Sequence, residues 1–228
     1  MKRLISTIAF PIVGMLSAFC AEVINVVTDN TQLVMRVKDD GRLYQTYLGE
    51  RLSSIVDLAA LDMPRTNVTS SVFHGNEVYP VIGTEDFYDA PFEIRHADGN
   101  SVSVLKYSGH RQQPIKGGTE TIVTLKDEVY PVTVVLHYLA YERENVISQY
   151  AEISHQEKGR VYIARYGSSM LYFEAPHYYL TEFASDWAKE MQMQSQEFQF
   201  GKKVVDSRLG TRANLMAQPF FEVGLGSP

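Results

Sequence analysis

Cysteine is all but missing: the 228 residues contain one, Cys20. Neither a disulfide framework nor a thiolate metal cluster can be built from a single thiol, so stability has to come from core burial. An excess of positive charge is missing too, with 21 Lys and Arg against 27 Asp and Glu and a formal charge of −6. No basic run interleaved with aromatics occurs. Such a surface repels phosphate, so neither nucleic acid nor an anionic membrane is expected as a partner.

The residue patterns that carry chemistry are sparse as well. Six histidines stand singly at positions 74, 96, 110, 137, 155 and 177. None has a zinc spacing, no calcium loop occurs, and no metal or other cofactor is expected. His137, between Leu136 and Tyr138 in an alternating run, reads as a hydrogen-bonded structural histidine. Gly167-Ser168-Ser169 lacks the flanking glycines of a nucleophile elbow, and no glycine-rich phosphate loop follows a strand. The acid pairs Asp39-Asp40, Glu85-Asp86 and Asp127-Glu128 fall at turns, where carboxylates are usually solvated. No catalytic residue is assigned to the chain.

One long apolar run exists, from Leu4 to Phe19, broken by Pro11 and Gly14 and preceded by Lys2 and Arg3. It is shorter than the roughly 20 residues of a spanning helix. A membrane anchor and a buried N-terminal strand are the alternatives, but the small residues Ala18 and Ala21 flank a cleavage point after Cys20. Residues 1–20 therefore read as a signal peptide. The mature domain would be exported, periplasmic or extracellular, free of the membrane and without cysteine. Losing Lys2 and Arg3 would take its formal charge from −6 to −8.

What is present is a globular composition, 45% hydrophobic and 21% charged, with 14 Tyr, 11 Phe and one Trp. After residue 21 apolar and polar residues alternate with a period of two, the mark of half-buried strands. Leu33, Met35 and Val37 precede Asp39-Asp40-Gly41, and Leu43, Tyr44 and Tyr47 follow, which predicts a hairpin with Gly41 at a positive φ. Phe92, Ile94 and His96 precede Asp98-Gly99, and Val102 and Val104 follow, which predicts a second hairpin. A meander is expected over Thr121 to Ile153, with turns near Asp127 and at Glu142 to Asn145. Further runs lie at Val161 to Tyr172, Tyr178 to Ala184, Glu190 to Gln196 and Lys203 to Asp206. Only Leu52 to Leu61 has a helical period. Ten or more strands without alternating helices predict an all-β sandwich of antiparallel sheets, with at most one or two short helices. Phe220 to Leu225 looks like another strand, and the end at Pro228 reads as a truncation.

Several short motifs stand in a fixed order: Tyr79-Pro80, Gly83, Asp86-Phe87, Ala90-Pro91, and then Asp98-Gly99 with Lys106-Tyr107 and His110. Glu120-Thr121, Leu125-Lys126-Asp127, Asn145-Val146-Ile147, Trp187-Ala188-Lys189-Glu190, Ser207-Arg208-Leu209-Gly210 and Pro219-Phe220 follow. Over about 180 residues this series resembles the N-terminal domain of α-galactosidases of glycoside hydrolase family 36. Tyr88 stands where the family has arginine, and Arg212-Ala213-Asn214 where it commonly has Ser-Ser-His, as in a divergent branch.

The resemblance implies a β-supersandwich of the galactose mutarotase-like kind over residues 21–228, cut before a (β/α)8 barrel. Two barrel aspartates would hydrolyse α-galactosides with retention, and neither lies in these residues. It also implies a homo-oligomer in the full-length enzyme, in which a loop of this domain approaches the sugar site of a neighbouring subunit. Asp57 to Arg65 occupies the place of that loop. Asp62 and Trp187 are the candidate substrate-binding residues, with a solvated turn acid as the alternative for Asp62. A free-standing sugar-binding domain, with Tyr178, Tyr179 and Trp187 as a platform, or an oligomerisation module, is the competing functional class.

Overall fold

The computed structural model describes residues 22–54, 76–83, 90–173, 177–199, 201–206 and 216–226. The signal segment, Asp62 and its loop, most of the helical Leu52 to Leu61 run, Asp86-Phe87 and Ser207 to Gly210 lie outside them. Twelve strands and no helix are found among the described residues, and every strand ladder is antiparallel. The chain is all-β, as its alternation predicts. It forms two compact units, one up to Tyr172 and one from Phe173 onward.

In the first unit, β1 (Val23–Val27), β2 (Thr31–Val37) and β3 (Leu43–Glu50) form a three-stranded sheet in sequence order. The β2–β3 turn is the expected one: Gly41 has φ 74° and donates its N–H to the Lys38 carbonyl at 2.8 Å. β5 (Leu105–Ile115), β6 (Gly118–Asp127), β7 (Val132–Tyr141) and β8 (Val146–His155) form a four-stranded meander. Lys116-Gly117 closes β5 onto β6, with Gly117 at φ 85°. Asn145, at φ 55°, ends the β7–β8 turn, a conformation asparagine tolerates.

The alternation has a direct packing consequence. Val132, Val134, Leu136, Tyr138 and Ala140 of β7 point to one face and join Val123 and Leu125 of β6. Ile24 and Val26 of β1 and Leu33, Met35 and Val37 of β2 belong to the same core, together with Tyr79 and Phe92. Both sheets thus bury one face in a shared interior. Each fully buried aliphatic or aromatic side chain there contributes about 1.5–3 kcal/mol, which is how the domain holds without disulfides.

Three expectations are corrected. β4 (Phe92–Arg95) does not form a hairpin with Val102 and Val104; it pairs with β9 (Tyr162–Tyr166). The Asp98-Gly99 turn itself is real, with Gly99 at φ 90°. Beyond it the chain is committed elsewhere, because Ser103 donates its N–H to the Ile82 carbonyl and Val104 to the Asp127 carboxylate. The Val161 to Tyr172 run yields only β9. Lys203 to Asp206 is not a strand.

In the second unit, β10 (Tyr178–Asp186) is the centre of a three-stranded sheet, flanked by β11 (Lys189–Glu197) and β12 (Met216–Leu225). Phe220 to Leu225 is indeed strand. Leu180 and Thr181 are buried, whereas nearly all of β11 is exposed.

Candidate functional site

Histidines paired with glutamates are the main polar clusters of the first unit. His96, at the end of β4, is buried. Its Nδ1 lies 2.8 Å from a Glu157 carboxylate oxygen and its Nε2 lies 2.9 Å from Ser103 Oγ. Tyr130 stacks on the ring at 3.5 Å, and its hydroxyl donates to Asp98. Burial raises the Glu157 pKa, but hydrogen bonds from the Ala97 N–H and from His96 outweigh it and hold the carboxyl below its usual value. Serine, histidine and glutamate here have the order of a hydrolase relay. Ser103 is only 2% exposed, however, so its hydroxyl meets no substrate and the cluster ties separate segments together.

The second cluster lies on the outer face of the meander. Glu120 of β6 receives the His137 ring at 2.8 Å on one carboxylate oxygen and the Gln113 amide at 2.6 Å on the other. Those two bonds, His137 first, lower its pKa against the opposing effect of burial. Tyr150 of β8 stacks on His137 at 4.3 Å. His137 is the hydrogen-bonded strand histidine its flanking residues predict.

Tyr107 and His110 of the motif series meet through a backbone irregularity. Three residues apart on a regular strand they would face opposite ways. The register shifts between Tyr107 and Gly109, and Gly109 takes φ 148°, so the Tyr107 hydroxyl lies 2.8 Å from His110 Nδ1. Burial, then the neighbouring Glu22, pushes the Tyr107 pKa up. Such bulges re-aim side chains, and this one needs glycine.

Turn acids also differ from expectation. Asp40 is not merely solvated: it accepts hydrogen bonds from Arg42 Nε at 3.0 Å and the Tyr44 hydroxyl at 2.5 Å, while Arg42 also reaches Glu77 at 3.0 Å. Asp127 accepts the N–H groups of Val129 and Tyr130 and so shapes the β6–β7 turn.

In the second unit Trp187 sits at the β10–β11 turn, 82% exposed, with its backbone N–H donated to the Asp186 carboxylate. Ala188 beside it has φ 56°. Trp187 is separated from Tyr179 by roughly 25 Å of extended chain, and consecutive Tyr178 and Tyr179 point to opposite faces. The three therefore do not make one platform. Instead Phe173, His177, Tyr178, Phe198, Phe221 and Val223 surround a hollow of about 460 Å³. His177 pairs with Glu197 at its edge, 2.6 Å apart. No signal in the sequence joins these residues, because they come from three separated segments. Asp62 lies outside the described residues. Among the described residues no three His, Cys, Asp or Glu side chains gather as a metal site.

Among the described residues, fold and surface define an antiparallel β domain in which His96, His137, Asp40 and Asp127 are engaged in holding structure, while Phe173, Trp187, Phe198, Phe220 and Phe221 are exposed on the second unit. The chain belongs to the glycosyl hydrolase family 36 N-terminal domain family, whose sequence profile matches residues 41–227. It is 25% identical over 158 residues to alpha-galactosidase AgaA of Geobacillus stearothermophilus, covering 63% of this chain and 22% of that protein. Alpha-galactosidase 2 of Hypocrea jecorina is 24% identical over 159 residues, covering 64% and 21%. The chain thus spans about a fifth of the length of these curated relatives.

The crystal structure of AgaA matches the fold with a TM-score of 0.80 at 20% identity, over 90% of this chain and 32% of that one. An alpha-galactosidase from Lactobacillus brevis gives 0.76 at 20% identity, over 87% and 30%.

Proposed function

We propose that the chain is the non-catalytic N-terminal domain of an exported α-galactosidase. Hydrolysis of terminal α-galactosyl residues takes place in a separate (β/α)8 barrel, by a retaining double displacement between two aspartates. The observation that carries this reading is the family match across residues 41–227. An α-galactosidase-sized protein needs a further catalytic portion, and the aromatic face of the second unit favours one as its partner. Phe173, Phe198, Phe221 and Leu225 are exposed there, a patch of the kind that marks an interaction surface.

In this reading Asp62 and Trp187 belong to the approach to the sugar, and an oligomer brings them to the active site of a neighbouring subunit. Residues 1–20 direct export to the periplasm or the extracellular space.

Sequencing the gene through the codon for Pro228 tests the proposal. An open frame continuing into a barrel with two strand-end aspartates is the expected result. A stop codon directly after Pro228 in the native gene would overturn it in favour of a free-standing domain.

A further inference from the structure

We infer that the first unit carries a binding cleft of its own for a neutral oligosaccharide, at the end of β1 between the two sheets. A cleft of about 340 Å³ opens there, with Thr28, Asp29, Arg51, Gln112, Thr119 and Glu142 among its walls. A second, more open hollow adjoins it and shares Asp29 and Arg51. The pair therefore offers an elongated site, longer than one sugar ring.

Its lining residues Asn25, Gln112 and Thr121 are tied together, and to Gln32 behind them, by a chain of amides. Gln112 Nε2 donates to the Asn25 carbonyl at 2.9 Å and to Thr121 Oγ1 at 3.0 Å, linking β5, β1 and β6. Gln32 Nε2 donates to Asn25 Oδ1 at 2.9 Å, and Gln32 Oε1 accepts the Leu52 N–H at 3.0 Å. Asp29 and Arg51 are held by their backbones, through hydrogen bonds to the carbonyls of Glu142 and Asn30. A site whose walls are fixed in this way loses little entropy on binding.

The charged ends of three wall residues are unspent. Among the described residues no ion pair or hydrogen bond engages the Arg51 guanidinium or the Asp29 and Glu142 carboxylates, although all three line one cleft. A guanidinium can only donate and an ionised carboxylate can only accept, whereas a sugar hydroxyl does both. Vicinal hydroxyls can therefore bridge groups of opposite sign. An anion would meet two carboxylates against one guanidinium, and a cation would meet Arg51 and find no cluster of three ligands. No aromatic ring lines the cleft, so stacking is lacking and affinity falls in the millimolar range.

The site does not depend on a catalytic domain, and it can stand or fall apart from the proposed function. The test is a titration of the isotope-labelled full chain with raffinose, followed by NMR, with sulfate and calcium chloride as separate probes. Saturable shifts at the amides of Thr28, Arg51, Gln112 and Thr119 are expected with raffinose alone. Arg51→Gln, which alters an exposed side chain, should weaken binding about tenfold, as for a lost charged hydrogen bond, and Glu142→Gln should weaken it too. Absence of shifts at the highest soluble raffinose concentration would overturn the inference. So would shifts confined to the hollow beside Tyr178, equal shifts with sulfate or calcium, or unchanged affinity in both variants.

Discussion

Replacing Glu157 by glutamine tests whether the buried His96 cluster ties the first unit together. The Glu157 side chain is 6% exposed and accepts two hydrogen bonds, from His96 Nδ1 and from the Ala97 N–H, both at 2.8 Å. An ionised carboxylate cannot donate, so His96 carries its proton on Nδ1, and in the neutral ring Nε2 accepts the Ser103 hydroxyl. Glutamine keeps one acceptor and turns the other position into a donor. One N–H then faces another, and a buried donor is left unmade, at a cost of about 1–3 kcal/mol. In a domain of this size that lowers Tm by roughly 2–12 °C, taking about 2–4 °C for each kcal/mol.

The pH dependence gives a second readout. The pKa of Glu157 is lowered on folding, so its contribution is present above the unfolded value and is lost as pH falls through the folded one. Thermal melts followed by circular dichroism should show a clear gap between wild type and Glu157→Gln at pH 7. The gap should narrow in acid, below the ordinary glutamate range, where the wild-type carboxyl is protonated as well. Equal Tm values at pH 7, or a gap that is constant down to that range, would refute the argument.

Gly118→Ala should destabilise the domain by about 1–3 kcal/mol in urea unfolding, since the added Cβ would lie 1.8 Å from the Ala140 carbonyl oxygen, and overpacking against backbone has that cost. An unchanged urea midpoint would show that the β6–β7 pairing yields more readily than its register suggests. Trp187→Ala should change stability by less than about 0.5 kcal/mol, because the side chain is 82% exposed and packs on little. The purified chain should hydrolyse no α-galactoside above background in a chromogenic assay; turnover by a pure sample would contradict a non-catalytic role. N-terminal sequencing of protein secreted by a native host should begin at Ala21, and an intact Met1 would remove the signal-peptide reading.

The sequence made the strands legible where one face of a strand is buried and the turn chemistry is local. Asp39-Asp40-Gly41 announces its hairpin because the glycine supplies the positive φ at that position. β5 was hidden for the opposite reason: it is an edge strand whose Arg111, Gln112 and Gln113 are exposed, so no apolar alternation marks it. The partner of β4 is not legible because a short run beside a turn looks like half a hairpin. Its true partner, β9, lies some 70 residues further on, and its own five residues are exposed. Period-two reasoning sees faces, not partners.

Polar clusters were less legible still, and the cause is distance along the chain. His96 meets Glu157 across 61 residues and His137 meets Glu120 across 17, whereas a sequence pattern shows only the near neighbours of each. Such pairs are long-range crosslinks in a domain without disulfides, and they are unequal. Those of His96 and His137 are buried, so removing either partner would leave an uncompensated polar group. The His177–Glu197 pair has a histidine side chain that is 79% exposed, so solvent screening leaves it little strength. Charge pairing therefore consolidates the first unit, whereas the second has an exposed three-stranded sheet with aromatic side chains on its surface. A sheet of three strands needs something against its apolar face to be stable, and this is why the second unit is where a packing partner has most to contribute.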